Sequence, residues 1–279
     1  MKVSVIIPTY NEENSILDCL ESLGKQTYSD FEIIVIDDGS TDKTGQYLKN
    51  TSKLIPQIRL VTQNHKGAGS ARNLGANKAK GEILVFVDAD MTFDQEFLAK
   101  LIKPILEGKA IGTFSKDESL ANKDNLWAVC WNINRGLPKY KMHPDNYPDT
   151  QKVFRAILKK NFEASGGFDE KGGYIDDYLS DRVGSRAQVA PGAIFFHKNP
   201  ETLKEVFDQS KWMAKRKYKL GFVGTLIAMA RVSLPISIFS GVIISITNVM
   251  PGFFIFKIVS DFGCLMGIME YTFKGKVAK

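Results

Sequence analysis

The sequence of 279 residues predicts an α/β fold with a mostly parallel sheet and helices on both faces, followed by apolar helices at the C-terminus. Three observations predict this architecture. Short apolar runs alternate with segments of helical periodicity over residues 1–111, a polar segment follows each of these runs, and residues 232–273 are strongly apolar. Strand–helix repeats at such spacing give right-handed crossovers and a doubly wound sheet.

Four nearly continuous apolar runs predict strands that are buried on both faces, as strands of a parallel sheet are. They are VSVIIP at 3–8, FEIIVI at 31–36, IRLVT at 58–62 and ILVFV at 83–87. Apolar residues at helical spacing predict intervening helices at 12–22, 42–50, 70–80 and 94–108. The pattern from 112 to 208 is irregular, and only 154–162, 166–168 and 188–197 are predicted to be ordered pieces.

Polar, turn-rich segments follow the four predicted strands. They are PTYNEE, DDGSTD, QNHKGAGSARN and DADM. Each stands at the carboxyl end of its strand, so all four share one edge of the sheet, where open parallel sheets bind ligands in a crevice. The sequence therefore predicts a nucleotide-sized site at this edge.

Asp88 and Asp90 end the fourth strand. Alternate residues of a strand point the same way, so both carboxylates can face one point, and two oxygen donors suit Mg²⁺ or Mn²⁺. The competing interpretation is that these acids only cap a turn and a helix. Because Asp88 and Asp90 lie beside three other polar segments, a metal site that also binds the phosphates of a nucleotide diphosphate is the favoured interpretation.

Two further segments fit a nucleotide. Asp38 can accept a hydrogen bond from a base N–H while Gly39 permits the tight turn, although a turn with a helix cap is the default interpretation of this segment in isolation. Gly69 and Arg72 open the third helix, whose N-terminus suits phosphate. The segment resembles a dinucleotide fingerprint but has Arg72 instead of the third glycine and follows the third strand, which argues against a hydride-transfer enzyme.

Residues 232–256 contain no charge over a length that exceeds the roughly 20 apolar residues of a membrane-spanning helix. Pro251-Gly252 predicts a turn, and 253–273 is apolar except for three charged residues. We therefore expect a two-helix transmembrane hairpin with a short tail at 232–279, after a basic juxtamembrane segment at 209–231. A buried helical hairpin, or one span plus an interfacial helix, is the alternative.

Charge is distributed unevenly. From Gln209 onward there are ten basic and two acidic residues, which leaves 27 basic and 29 acidic residues in 1–208. The basic character thus belongs to the tail, and we expect no nucleic-acid partner.

The three cysteines have no CxxC spacing, which argues against a disulfide framework or a cysteine zinc site and fits a reducing compartment. Basic residues flank both ends of the apolar region, which places the ends and the main domain on the cytoplasmic side of the cell membrane.

Several motifs of the chain resemble those of the inverting family 2 glycosyltransferases with the GT-A fold, and they occur in the same order as in that family. They are VSVIIPTYNEENSILDCLESLGKQTYSDFEIIVIDDGSTDKT, NHKGAGSARNLGANKAKGEILVFVDADM, ASGGFDE and YIDDYLSDRV. The resemblance implies a GT-A domain at 1–208, with a nucleotide-binding half at 1–111 and an acceptor-binding half at 112–208. It also implies a nucleotide-sugar donor, UDP- or GDP-linked, and a divalent metal.

The resemblance also assigns roles to residues. The donor-binding residues it implies are Pro8, Thr9, Tyr10, Glu12, Asp38, Gly69, Arg72 and Asp88. Asp88 and Asp90 match the family's DxD pair, and His197 falls where related enzymes often have a histidine near the metal or the phosphates. Asp176 and Asp177 match the acidic pair whose second member is the general base. Without the resemblance, these two acids would be explained as helix N-terminal acids.

The expected function is metal-dependent, inverting transfer of a sugar to a hydroxyl of a lipid-linked or membrane-proximal glycan acceptor. One alternative is a polyprenyl-phosphate glycosyltransferase, whose ionised acceptor needs no general base. A second is a catalytically silent membrane protein that binds a nucleotide sugar.

Overall fold

A computed structural model describes residues 1–55, 57–169 and 177–274 of the chain. The chain separates into two compact units. The first, here called the sheet unit, comprises 1–119 and 143–197, and the second, the helical unit, comprises 120–142 and the residues from 198 onward. Residues 120–142 thus pack with the C-terminal helices, whereas the sequence analysis assigned them to the 1–208 domain.

The sheet unit has the α/β architecture that the sequence predicts. Its first half comprises β1 (Val3–Thr9), α1 (Ile16–Gly24), β2 (Phe31–Asp37), α2 (Thr44–Leu54), β3 (Ile58–Thr62), α3 (Ala68–Lys78), β4 (Ile83–Phe86), β5 (Met91–Phe93) and α4 (Phe97–Leu106). Its second half comprises β6 (Gly112–Phe114), β7 (Glu118–Leu120), β8 (Thr150–Gln151), β9 (Ala156–Leu158), α6 (Lys159–Ala164), α7 (Asp177–Val183), β10 (Ala187–Val189) and β11 (Phe195–His197).

The large sheet is mostly parallel, with the strand order β3-β2-β1-β4-β9-β6-β10-β8. The four predicted strands form its parallel half, in which Thr9 lies beside Asp37 and Ile6 lies beside Phe86. Strand β9 is antiparallel to both β4 and β6. A small second sheet has the order β5-β11-β7, and His197 in β11 pairs with Met91 in β5.

Alternation along β1 explains its nearly continuous apolar run. Val5 and Ile7 belong to one hydrophobic cluster and Ile6 to another, because successive side chains of a strand point to opposite faces. Helix α3 packs closely on the second face: a Cβ at Gly75 would lie 2.5 Å from Cγ2 of Ile6. Both faces of the sheet are therefore covered, as a parallel sheet requires.

The helical unit contains α5 (Leu126–Asn134), α8 (Leu203–Ala214), α9 (Gly221–Arg231), α10 (Leu234–Thr247) and α11 (Gly252–Lys274). Trp131 of α5 packs edge-on against Phe256 of α11. Helix α11 also lies very close to α8, because a Cβ at Gly263 would be 2.5 Å from the carbonyl oxygen of Phe207 and one at Gly267 would be 2.1 Å from that of Lys211.

Among the described residues, α11 is the one single helix long and apolar enough to cross a membrane. Helices α9 and α10 pass the same test of length and composition only as a pair, and they are bent by 54°. Helix α10 has 14 residues, so it is about 21 Å long against a hydrocarbon thickness of about 30 Å. The two helices α10 and α11 match the predicted hairpin segments, but α10 alone is short for a span.

Candidate functional site

The carboxyl ends of β1, β2 and β4 bring the predicted polar segments to one edge of the sheet unit. Asp38 follows β2, and Asp88 and Asp90 follow β4, with β1 between these two strands. Neighbouring strands lie about 4.8 Å apart, so the ends of β2 and β4 are separated by about 10 Å. Such an edge can accommodate a nucleotide diphosphate.

Two arginines hold the carboxylate of Asp88. Its Oδ1 accepts a hydrogen bond of 2.7 Å from Arg72, and its Oδ2 lies 3.1 Å from Nη1 of Arg155. Burial would raise the pKa of Asp88, but the charges of Arg72 and Arg155 outweigh burial and leave this pKa well below its usual range. Asp88 is therefore an ionised acceptor at the rim of the site.

Arg155 was not predicted as a site residue. It immediately precedes β9, and its backbone bonds on one side to Phe86 and on the other to Thr113. The antiparallel placement of β9 between β4 and β6 thus brings Arg155 beside Asp88. A single arginine in an irregular stretch of sequence carries no signal of this placement.

Asp90 forms a second centre with His197. Oδ2 of Asp90 lies 2.9 Å from Nε2 of His197, and Nδ1 of the same ring lies 2.9 Å from Oε1 of Glu118. Oδ1 of Asp90 is buried and has no hydrogen-bond partner in the described part of the chain. A buried oxygen of this kind is costly unless a ligand satisfies it.

The ring of His197 lies between two carboxylates. Burial would lower its pKa, but Asp90 and Glu118 together raise the pKa of His197 to about 10. Glu118 in turn lies 3.0 Å from Nε2 of His143, whose ring stacks on Tyr147 at 4.0 Å. Neither Glu118 nor His143 was predicted as a site residue. Glu118 and His197 are 79 residues apart in the sequence, so no local pattern indicates their contact.

These side chains fit a divalent cation in part. Asp90 offers an unpartnered oxygen and His197 an imidazole, and Glu118 orients that imidazole in the way that carboxylates orient metal-binding histidines. Within residues 1–55, 57–169 and 177–274 there is no group of three or more His, Cys, Asp or Glu that could hold a metal ion. Mg²⁺ and Mn²⁺ commonly bind one or two protein ligands together with substrate phosphates, so two ligands suffice.

Glu12 faces the same site. Burial, followed by the negative charge of Asp90, raises the pKa of Glu12 to about 7. Its carboxylate also accepts a hydrogen bond from the hydroxyl of Ser15. Glu12 follows β1, and Asp88 and Asp90 follow its neighbour β4, so the three residues belong to segments at the same edge of the sheet.

Asp38 binds its own chain. Its Oδ1 accepts hydrogen bonds from Gln63 at 2.6 Å and from the backbone of Lys66 at 2.9 Å, and its Oδ2 accepts one from the backbone of Gly67 at 2.8 Å. His65 lies 2.9 Å from Oδ2 as well. In this arrangement Asp38 shapes the loop between β3 and α3, and binding of a base N–H would require it to exchange one of these partners.

Tyr10 and His65 form an aromatic pair at the end of β1. Their rings stack at 4.1 Å, and Tyr10 remains 41% exposed. Pro8 and Thr9 end β1 beside them, and Thr9 is buried. His65 was not predicted, although it lies within the quoted QNHKGAGSARN segment.

Gly69 contacts the chain rather than open space. A Cβ at this position would lie 2.7 Å from the carbonyl oxygen of Asp169. Asn73, one turn further along α3, exchanges two hydrogen bonds of 3.0 and 2.8 Å with the backbone of Phe168. The glycine thus permits the GGFD segment to pack on α3, which is a structural reason for a residue predicted to bind the donor.

The predicted acidic pair is only partly visible. Asp176 lies outside the described residues. Asp177 is the first residue of α7, and its side chain is likewise outside the description. Their roles therefore stay predictions.

Comparisons with known proteins identify the family and the fold. Residues 4–165 match the family described as Glycosyl transferase family 2. Glycosyltransferase GlyA of Streptococcus pneumoniae is 40% identical over 109 residues, which are 39% of this chain and 16% of that protein. TarS of Staphylococcus aureus, a poly(ribitol-phosphate) beta-N-acetylglucosaminyltransferase, is 43% identical over 101 residues, which are 35% of this chain and 18% of TarS.

Two solved structures share the fold. TarS 1–349 in complex with UDP-GlcNAc superposes with a TM-score of 0.60 at 18% identity, over 100% of this chain and 93% of that one. The mannosyltransferase PcManGT of Pyrobaculum calidifontis, in complex with GDP-Man and Mn²⁺, gives a TM-score of 0.61 at 19% identity, over 99% and 88%. The α/β sheet unit thus has the GT-A architecture. Because the family match covers more than half of the chain, the protein belongs to glycosyltransferase family 2.

Proposed function

We propose that this glycosyltransferase uses a UDP- or GDP-sugar, with Mn²⁺ or Mg²⁺, and transfers the sugar with inversion to a hydroxyl of a lipid-linked or membrane-proximal glycan. The observation that carries the proposal is the buried, unpartnered oxygen of Asp90 beside His197, at the same edge as Asp88. The donors seen in the TarS and PcManGT structures support a nucleotide sugar.

Asp90 and His197 would hold the metal ion, which would neutralise the departing diphosphate. His197 must lose a proton to become a ligand, so metal affinity should fall as the pH falls. Glu118 keeps the imidazole oriented toward Asp90. Asp88 supplies an ionised acceptor for donor hydroxyls, and Arg72 and Arg155 fix its position.

Two other parts of the sheet unit would complete the reaction. The exposed ring of Tyr10, supported by His65, offers a flat surface on which a nucleobase can stack. Asp177 at the start of α7 would remove the proton of the acceptor hydroxyl, which is a poor nucleophile otherwise. Attack in line with the departing diphosphate inverts the anomeric carbon.

The helical unit would attach the enzyme to the cytoplasmic face of the cell membrane. Its large apolar side chains on α9 and α10 are exposed, among them Phe222 and Phe239, and basic residues precede them in the sequence. Helix α8 packs against α11 and carries the exposed ion pair of Lys204 and Asp208. Charges beside α11 would be costly in hydrocarbon, so attachment in the plane of the interface is favoured over a crossing hairpin.

The test of the chemistry is a transfer and hydrolysis assay over UDP- and GDP-sugars with Mn²⁺. We expect Asp90→Ala and Asp177→Asn each to lower turnover by about 10²-fold or more, because metal and general-base contributions are of this order. Glu21→Gln, on the exposed face of α1, is the control. Full activity in both variants would refute the mechanism, and transfer to polyprenyl phosphate alone would identify the alternative acceptor.

The test of the attachment is cysteine labelling in sealed vesicles. Asn248→Cys lies in the turn between α10 and α11. An interfacial unit keeps this residue on the side of the catalytic sites, whereas a crossing hairpin places it on the opposite side. Labelling from the opposite side alone would therefore support the hairpin.

A further inference from the structure

One cavity of the protein lies wholly within the helical unit. It has a volume of about 710 Å³, and its walls come from α5, α8, α9, α11 and the segment between α8 and α9. Large apolar side chains form much of the wall, including Trp131, Met213, Ile227 and Ile268. A volume of this size falls within the range of about 300–1,000 Å³ that small-molecule sites have.

Cationic side chains line the same cavity, and none of the lining residues is Asp or Glu. The five cations are Arg135, Arg216, Lys217, Lys219 and Arg231. All five are exposed, so they can reach a ligand at the mouth of the cavity. An anion is therefore the ligand that the charge distribution favours.

The nearby carboxylates of the helical unit are bound to other cations. Glu270 lies 2.5 and 2.6 Å from the amino groups of Lys211 and Lys215, neither of which lines the cavity. Asp261 pairs with Lys257 at 2.7 Å. The positive charge of the cavity lining is thus not neutralised by these two acids.

The backbone brings the cationic segment to the cavity. Leu220 has a positive φ of 69° and precedes α9, and it forms a turn together with Lys219. The carbonyl group of Lys219 lies against the backbone of Gly224, where any side chain would clash with the carbonyl oxygen. Arg216 stacks on Tyr218 at 5.7 Å. These contacts order a run of cations beside an apolar wall.

We propose that this cavity binds the phosphate headgroup of an anionic membrane phospholipid, with the hydrocarbon chain of the lipid along the apolar surface of α9. Arginine and lysine together select phosphate, and the apolar wall selects a ligand with a hydrocarbon part. The exposed apolar side chains of α9, among them Phe222 and Leu226, continue the wall outward. The proposal rests on the proposed membrane attachment and adds a specific lipid to it.

The experiment compares two triple variants of the full chain that remove equal charge. Arg135→Gln/Lys217→Gln/Lys219→Gln changes the cavity, and Lys123→Gln/Lys139→Gln/Lys204→Gln changes exposed lysines of the same unit that do not line it. Binding is measured by co-sedimentation with vesicles of phosphatidylcholine alone and of an equimolar mixture with phosphatidylglycerol. We expect the cavity variant to lose about 100-fold in affinity for the mixed vesicles, because each cation near an anionic surface contributes roughly fivefold, and the control to lose much less.

Soluble probes separate this proposal from membrane attachment itself. Dihexanoyl phosphatidylglycerol should raise the melting temperature of the wild type and the control but not of the cavity variant, whereas dihexanoyl phosphatidylcholine and inorganic phosphate should not raise it. Arg135→Lys/Lys217→Arg/Lys219→Arg, which keeps the charge, should restore the shift.

Three outcomes would overturn the lipid site. They are equal losses in both triple variants, an equal melting shift with inorganic phosphate, and an unchanged preference for phosphatidylglycerol in the cavity variant. Failure of the wild type to bind either vesicle, with an intact melting shift, would refute the membrane attachment and leave the cavity as a phospholipid site.

Discussion

The two units of this protein distribute polar and apolar side chains in opposite ways. The sheet unit buries apolar residues such as Ile6 and Val35 and has charged side chains on its surface, among them the exposed pair of Lys25 and Glu21. In the helical unit, Phe239 and Ile246 are about 70% exposed, whereas Ser237 and Asp261 are buried and bonded to each other at 2.6 Å. In this unit, therefore, a polar contact joins two helices while large apolar side chains are exposed. An exposed apolar surface on only one of the two units is what the proposed membrane attachment of the helical unit requires.

The largest effect on stability should come from the charge cluster of the sheet unit. Asp88→Ala leaves Arg72, whose side chain is 5% exposed, without its carboxylate. We expect the free energy of unfolding to fall by about 3–5 kcal/mol in denaturant titrations, as when one partner of a buried pair is removed. Glu21→Ala, which breaks the exposed pair with Lys25, should cost less than about 1 kcal/mol. Equal costs would show that Arg72 is well solvated without Asp88.

A pH-dependent effect should follow from Glu12. Its pKa is raised to about 7 in the folded protein, so between pH 4.5 and 7 the folded state binds more protons than the unfolded state, and stability falls as the pH rises. Glu12→Gln removes this loss, and the gain over wild type should grow from pH 5 to pH 8 by at most about 3 kcal/mol. Thermal unfolding in EDTA measures it, with Glu21→Gln as the control. A gain that does not change with pH would contradict the shift.

Packing in the helical unit should be sensitive at Gly267. A Cβ there would lie 2.1 Å from the carbonyl oxygen of Lys211, so Gly267→Ala forces α8 and α11 apart. We expect a loss of about 1–3 kcal/mol in thermal unfolding in detergent. At Gly24, where a Cβ would meet nothing within 4 Å, alanine should be nearly neutral or stabilising. A neutral Gly267→Ala would mean that the two helices do not pack this closely.

A substitution at Phe239 should have the smallest effect on stability and a clear effect on membrane binding. Phe239→Gln replaces a side chain that is 69% exposed, so the free energy of unfolding should change by less than about 0.5 kcal/mol. Vesicle binding should fall by about 10-fold to 150-fold, because a side chain of this size contributes about 1.5–3 kcal/mol when it leaves water. Leu17→Gln, exposed in the sheet unit, should leave vesicle binding unchanged. Equal binding by both variants would remove the contrast between the units.

Much of the candidate site at the edge of the sheet was predictable from the sequence. Four apolar runs gave β1 to β4, and the segments after them gave Asp38, Asp88 and Asp90 their common edge. This succeeded because β1, β2 and β4 are largely buried and each polar segment follows its strand directly. The prediction that β3 is buried on both faces was wrong, because β3 is the edge strand of the sheet and its Arg59 and Thr62 are exposed. His197 was predicted through the family resemblance, and the structure does bring it beside Asp90.

The partners of these residues could not be predicted. Arg155 reaches Asp88 only because β9 is inserted antiparallel between β4 and β6, and Glu118 reaches His197 only because β7 and β11 are neighbours in the small sheet. Gly69 was predicted to bind the donor, while its close neighbour is the backbone of Asp169. Such contacts depend on pairing between distant segments, which local patterns do not encode.

The sequence by itself determined the α/β class, the parallel half of the sheet, the acidic edge and the apolar C-terminal region, because periodicity and strand-end polarity are local properties. The tertiary structure decided which cations neutralise which acids, that residues 120–142 pack with the C-terminal helices, and that five cations line one apolar cavity. These features arise when segments far apart in the chain come together, and their energies depend on distance and burial in the folded state.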